Sequence, residues 1–127
     1  MGTQESEAIR LSLCKDAEVR EFQAGDTIFC AGQAGSTMFV VAEGEVEIWL
    51  GPVFAETVTP GGIFGEMALI DGTVRSADAL AKTRCKLFAV DERRFQSMVR
   101  ETPAFALQVM SIMAERLRHA NQRIIET

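Results

Sequence analysis

The run Glu45-Val46-Glu47-Ile48-Trp49-Leu50 alternates between two kinds of side chain. Val46, Ile48 and Leu50 project one way, and the glutamates and Trp49 the other. A period of two is that of a half-buried strand. Short apolar runs of similar length occupy residues 27–30, 38–41, 54–58, 76–81 and 85–90. Turn signals punctuate them: Gly25-Asp26, Ala31-Gly32, Ala34-Gly35, Glu43-Gly44, Gly51-Pro52 and Pro60-Gly61-Gly62. Many short strands with regular turns predict a sandwich or barrel over residues 19–90.

Beyond Val90 the period changes to that of a helix. Asp91 can cap a helix that begins at Glu92 and places Phe95, Met98 and Val99 on one face. Thr102-Pro103 is a second start signal, a capping threonine followed by proline at the first helical position. The next helix is expected over 103–125, about 35 Å at ~1.5 Å per residue. Ala106, Val109, Met113, Leu117, Ala120 and Ile124 form its apolar stripe. Phe105, Leu107, Met110 and Ile112 widen the stripe near its start. Arg116, Arg118, Gln122 and Arg123 flank it near its end. The taper has two readings: a helix lying on the barrel, or the seam of a homodimer. Residues 1–6 are polar and expected to fray, and 7–14 read as a short helix or an irregular arm. The expected organisation is thus an arm over 1–18, a β-domain over 19–90 and helices over 91–127.

Composition narrows the chemistry. The chain has 127 residues, 47% of them hydrophobic and 24% charged, the balance of one ordinary globular domain. No apolar run approaches the ~20 residues that span a bilayer, and the first residues lack the basic and apolar regions of a secretory signal. A cytoplasmic protein is therefore expected. A net charge of −5 argues against nucleic-acid binding through a broad basic surface. Cys14, Cys30 and Cys85 are isolated and form no CxxC pair, so they are expected to be small buried hydrophobes. His119 is the single histidine, too few for a multi-histidine metal site, and no nucleophile-elbow motif accompanies it. An enzyme, including one of the metal-binding cupins, is not expected. His119 itself reads as an exposed helical residue.

The most informative stretch is Phe64-Gly65-Glu66-Met67-Ala68-Leu69-Ile70-Asp71-Gly72-Thr73-Val74-Arg75-Ser76-Ala77. Gly65 has no side chain and lets a ligand approach the backbone. Residues 66–70 suit a single helical turn whose leading N–H groups can point at an anion. Arg75 supplies a fixed cation with forked donors matched to phosphate oxygens. Ser76 adds a hydroxyl, and the Ser76 and Ala77 amides add donors. Glu66, being anionic, suits a sugar hydroxyl instead. A plain Arg75–Glu66 salt bridge on a solvated loop is the competing reading.

This stretch resembles the phosphate-binding cassette of the cyclic nucleotide-binding domains. A second motif of that family appears upstream, from Ile28-Phe29-Cys30-Ala31-Gly32 through Gly35 and Met38-Phe39-Val40-Val41 to Gly44. Phe29 departs from it, since the family tends to a smaller apolar residue there; the expected consequence is confined to packing. The resemblance covers residue 19 to the C-terminus. It implies a double-stranded β-helix (jelly-roll) barrel with C-terminal helices. It implies that Glu66 binds the ribose 2′-hydroxyl, with Gly65, Met67 and Ala68 around it. Arg75 pairs with the cyclic phosphate, helped by Ser76 and Ala77. The base falls near Ala120 and Asn121, of which Asn121 offers both a donor and an acceptor. The resemblance implies cAMP ahead of cGMP, with both open. A threonine after the arginine is associated with cGMP, and Ser76 could make a weaker form of that contact, while bacterial cAMP receptors also look like Arg75-Ser76-Ala77 here.

The expected function is a cyclic nucleotide sensor that couples binding to rearrangement of the C-terminal helix and acts on a protein partner. Two alternatives stand beside it: an interaction module that keeps the fold without the ligand, and the effector domain of a longer transcription regulator. No helix-turn-helix follows the final helix and the net charge is negative, so the chain by itself is expected to bind no nucleic acid; the lack of a long apolar run gives the same expectation for a membrane.

Overall fold

A computed structural model of the chain describes residues 3–72 and 74–126, with side chains described for 6–72 and 74–122. The chain divides into two compact units, residues 1–95 and 96–127.

The first unit opens with α1 (Thr3–Leu13). Eight strands follow: β1 (Glu18–Phe22), β2 (Thr27–Phe29), β3 (Thr37–Glu43), β4 (Val46–Leu50), β5 (Val53–Val58), β6 (Ile63–Phe64), β7 (Asp78–Ala81) and β8 (Cys85–Asp91). A short helix, α2 (Glu66–Ile70), stands between β6 and β7. The strands form two antiparallel sheets in the orders β1-β8-β3-β6 and β2-β7-β4-β5. These are the paired orders of an eight-stranded jelly roll.

The core lies between the sheets. Phe39 and Val41 of β3, Phe64 of β6, and Cys85, Leu87 and Ala89 of β8 meet Phe29, Val46, Val58, Ala79 and Ala81 of the other sheet. The alternate residues of β3, Met38 and Val40, are also buried, so β3 is covered on both faces. α1 lies against β3. It is held there in part by the buried Arg10, whose Nε donates to the Gly61 carbonyl. Burial pushes the Arg10 guanidinium below its ordinary value, and Glu7 opposes that. Gly61 is closed in by α1, because a Cβ there would overlap the Glu7 side chain.

The expectations require several amendments. The helix at the N-terminus begins at Thr3, within the segment expected to fray; residues 1 and 2 lie outside the described residues. β1 and β6 carry no strong apolar run and were not among the strands expected. β1 is recruited by pairing with β8, and the two-residue β6 by pairing with β3. Leu50 does not share the buried face of Val46 and Ile48. β4 pairs with β7 only as far as Trp49, so Leu50 lies past the end of that ladder and is exposed.

Cys30 departs from expectation too. It follows the last residue of β2 and is exposed, whereas Cys14 and Cys85 are buried. Burial raises the Cys14 thiol to about 11, with Arg94 pulling the other way. Native protein treated with a maleimide near neutral pH should therefore take up label quickly at Cys30 alone, and at all three thiols in denaturant. Equal labelling of Cys14 in the folded state, read by peptide mass spectrometry, would contradict its burial.

The second unit comprises the end of α3 (Glu92–Glu101) and all of α4 (Ala104–Glu126). The Asp91 cap is present, with its carboxylate accepting from the Arg94 amide at 2.8 Å. Met98, Phe105 and Val109 are buried. Of the expected stripe on α4, Ala106, Val109, Met113 and Ala120 are at least partly covered, but Leu117 is exposed, as are Leu107 and Met110. The side chains of Arg123 and Ile124 lie outside the described residues. His119 is exposed.

Candidate functional site

Phe64 ends β6 inside the core, and the chain then turns abruptly into α2. Gly65 makes this turn with φ +78°, a left-handed conformation that side-chain-bearing residues rarely adopt. Space is short as well: a Cβ on Gly65 would lie 2.7 Å from Arg75 Nη1. Glu66, the first residue of α2, is buried. Ala68 is buried and Met67 half-buried on the same short helix.

Arg75 lies on the segment that returns from α2 to β7. Its backbone is stitched to the upstream glycine loop by two bonds. The Arg75 amide donates to the Gln33 carbonyl, and the Gly32 amide donates to the Arg75 carbonyl, both at 2.8 Å. The loop is braced further by the Ala31 amide on the Asp78 carboxylate at 2.7 Å. The two glycine-bearing motifs of the sequence therefore form one structural site.

The Arg75 side chain points inward and is only 6% exposed. Nη1 donates to the Gly65 carbonyl at 3.0 Å and Nη2 to the Thr37 hydroxyl at 3.3 Å. The guanidinium carbon lies over the Phe29 ring, 4.2 Å from its centroid, and 5.8 Å from that of Phe39. Gly35 comes so close that a Cβ there would overlap Arg75 Nε. No carboxylate of the described residues forms an ion pair with this guanidinium. The expected alternative, an Arg75–Glu66 salt bridge on a solvated loop, is therefore not what the structure contains. Both side chains are buried, and they are not bonded to each other.

Burial lowers the Arg75 pKa, the nearby Arg20 lowers it further, and Glu66 opposes them. Arginine stays protonated at working pH regardless. The result is a buried cation whose bonded partners are the neutral Gly65 and Thr37 oxygens and whose neighbours are two aromatic faces, with Arg20 and the Glu66 carboxylate acting on it without ion-pair contact. A guanidinium has five N–H donors, and two of them donate to acceptors among the described residues. Such a site can receive an anion with several acceptor oxygens, and phosphate geometry matches the fork of a guanidinium.

Of the other residues singled out, Ser76 is exposed and Ala77 buried, and both follow Arg75 on the same segment. Asn121 is an exposed residue of α4, in the second unit. Thr73 lies outside the described residues. Thr37, Gly35 and Phe29 were not among the expected site residues. Gly35 belonged to a recognised motif, and Phe29 was the one departure within it. Thr37 gave no local signal, because its role depends on where β3 begins relative to Arg75.

Gly35→Ala tests this close approach. Gly35 has no left-handed backbone, so alanine fits the chain but displaces Arg75. The variant is expected to keep its melting temperature within a few degrees and to lose roughly tenfold or more in anion affinity, about 1.4 kcal/mol. Unchanged affinity by calorimetry would contradict the placement of the guanidinium.

The sequence profile of the cyclic nucleotide-binding domain matches residues 19–102. Among solved structures, the chain is similar to the Thermus thermophilus catabolite activator protein, at 29% identity and a TM-score of 0.77. That match covers 94% of this chain and 57% of the Thermus protein, so the chain spans somewhat over half of it. A protein solved in work on a cyclic-GMP-dependent signalling pathway that regulates bacterial phytopathogenesis is 27% identical, with a TM-score of 0.67. All of this chain and 97% of that one are covered. The cAMP-bound PfPKA-R shares the fold at 20% identity, with a TM-score of 0.75 over 94% of this chain and 46% of that one.

Proposed function

We propose that this chain, which belongs to the cyclic nucleotide-binding domain family, binds a cyclic purine nucleotide, cAMP in preference to cGMP, and passes the binding event to a protein partner. The observation that carries this reading is Arg75: a buried guanidinium, without a carboxylate in ion-pair contact among the described residues, inside the family's cassette. The cyclic phosphate supplies the missing negative charge and takes the N–H donors left over from Gly65 and Thr37. Glu66 accepts a hydrogen bond from the ribose 2′-hydroxyl. Gly65, Met67 and Ala68 bring backbone to the sugar, and Ser76 and Ala77 add donors beside Arg75. One cation and one carboxylate, not spent on each other, read the anion and the hydroxyl of the same ring. Asn121 is assigned to the purine edge. The lean to cAMP follows the resemblance to bacterial cAMP receptors, and Ser76 is compatible with cGMP as well.

In this reading the chain does no chemistry of its own. Binding is coupled to a rearrangement of α4, and the ligand shifts that equilibrium only by its differential affinity for the two arrangements. The exposed Leu107, Met110 and Leu117 leave α4 with apolar surface for a second copy of the chain or for the partner. Among the described residues no helix is long and apolar enough to cross a membrane.

A thermal-shift panel of cAMP, cGMP and cyclic dinucleotides tests the ligand. A ligand present at a hundred times its Kd, and bound only by the folded state, stabilises by about 2.7 kcal/mol. The midpoint should rise most with cAMP. A panel that leaves it unmoved would favour an interaction module without a ligand. Hydrogen exchange tests the coupling: residues 113–125 should change in protection when cAMP binds, and identical exchange with and without ligand would rule it out.

A further inference from the structure

Resting on the reading that Arg75 takes the cyclic phosphate, we propose that Phe29 is a positioning residue of the site: its ring face stands in for a counter-ion to Arg75. A buried cation needs compensation. The usual protein solution is a carboxylate, which grips the guanidinium by its N–H edge. That edge is the one a phosphate must use, so a carboxylate there would compete with the ligand and cancel the charge that attracts it. An aromatic face acts from a different direction. Its quadrupole attracts the cation perpendicular to the guanidinium plane and accepts no strong hydrogen bond, so the donors stay available.

The geometry matches this role. The guanidinium carbon stands 4.2 Å from the Phe29 centroid, well inside the ~6 Å range of such contacts. Phe29 is held in turn by Phe64 and Phe39, with ring centroids 5.8 and 6.3 Å away. Phe39 and Phe64 stack at 5.3 Å. The ring is 9% exposed and anchored in the core shared by both sheets. It also closes on the turn, since its Cε2 lies 3.4 Å from where a Gly65 Cβ would be. One ring therefore seats both the cation and the glycine whose carbonyl that cation holds. On this proposal position 29 bears on binding as well as on packing.

The experiment replaces Phe29 in the full chain with 4-fluoro- and then 3,4,5-trifluorophenylalanine. Fluorination drains the ring quadrupole while nearly keeping its shape. Affinity for cAMP should fall stepwise, by about three- to thirty-fold at the trifluoro ring, while the ligand-free melting temperature stays within a few degrees. A flat series, with Arg75→Ala still weakening binding strongly, would make Phe29 a packing residue and overturn the proposal. A second readout needs no ligand. In the parent protein the NMR resonance of the Arg75 Nε–H should be displaced upfield by the ring current, and it should return to an ordinary position in Phe29→Leu. An ordinary position in the parent overturns the proposal independently of any binding. Failure of Arg75→Ala to weaken cAMP binding would instead strike at the functional reading.

Discussion

Arg75→Ala is expected to weaken cAMP binding by tens- to thousands-fold. Removing one partner of a buried, charge-assisted hydrogen bond costs ~2–5 kcal/mol, because the other charge is left unpaired. In the proposed function the abandoned group is the cyclic phosphate. Stability should respond differently. In the ligand-free protein Arg75 is a buried cation with no ion-pair partner among the described residues, so its removal relieves a desolvation cost even as it loses the contact with Phe29. The ligand-free melting temperature should hold or rise. Lysine at the same position keeps the charge but cannot form the fork, so Arg75→Lys should bind better than alanine and worse than arginine. Isothermal calorimetry paired with differential scanning calorimetry reads both quantities. Affinity within threefold of the parent would end the assignment of Arg75 to the phosphate.

Phe64→Ala should have the largest effect on folding. Phe64 is 2% exposed, stacks with Phe39 and packs tilted against Phe29 at the junction of the two sheets. Truncating such a phenylalanine typically costs ~3–5 kcal/mol, through lost burial and the cavity left behind. Against a total of about 5–15 kcal/mol, that is enough to leave a sizeable unfolded fraction on mild heating. Urea unfolding should show the midpoint fall with little change in slope. Phe64 also fixes the point where β6 gives way to Gly65, so binding should weaken in parallel. Saturating cAMP should recover part of the lost stability. A variant as stable as the parent would mean that the three phenylalanines do not organise this core.

Much of the architecture was legible because it rests on local periodicity. The alternation around Val46 and Ile48, the turn dipeptides and the change of period after Val90 each reflect one element's need to bury one face. The buried run Met38-Phe39-Val40-Val41 was legible as a strand for the same reason. Elements that owe their existence to a neighbour were not legible. β1 and the two-residue β6 carry weak patterns and are extended because β8 and β3 offer them hydrogen bonds. The exposures of Cys30 and Leu50 follow from where strands end, which depends on their partners' lengths.

At the site, the sequence alone determined the inventory of chemistry: a glycine at the turn, a carboxylate after it, an arginine nine residues beyond that carboxylate, and two glycine-bearing motifs. Such features are written in residue type and spacing, which folding cannot alter. Only the tertiary structure decided that Arg75 and Glu66 are both buried without forming an ion pair with each other. It also decided that Thr37, 38 positions away, and Phe29, on the opposite sheet from Phe39, complete the setting of the guanidinium. The physical reason is that a charge's partners are chosen by distance and burial in space. Those are set by the register of the two sheets, which no short stretch of chain encodes by itself.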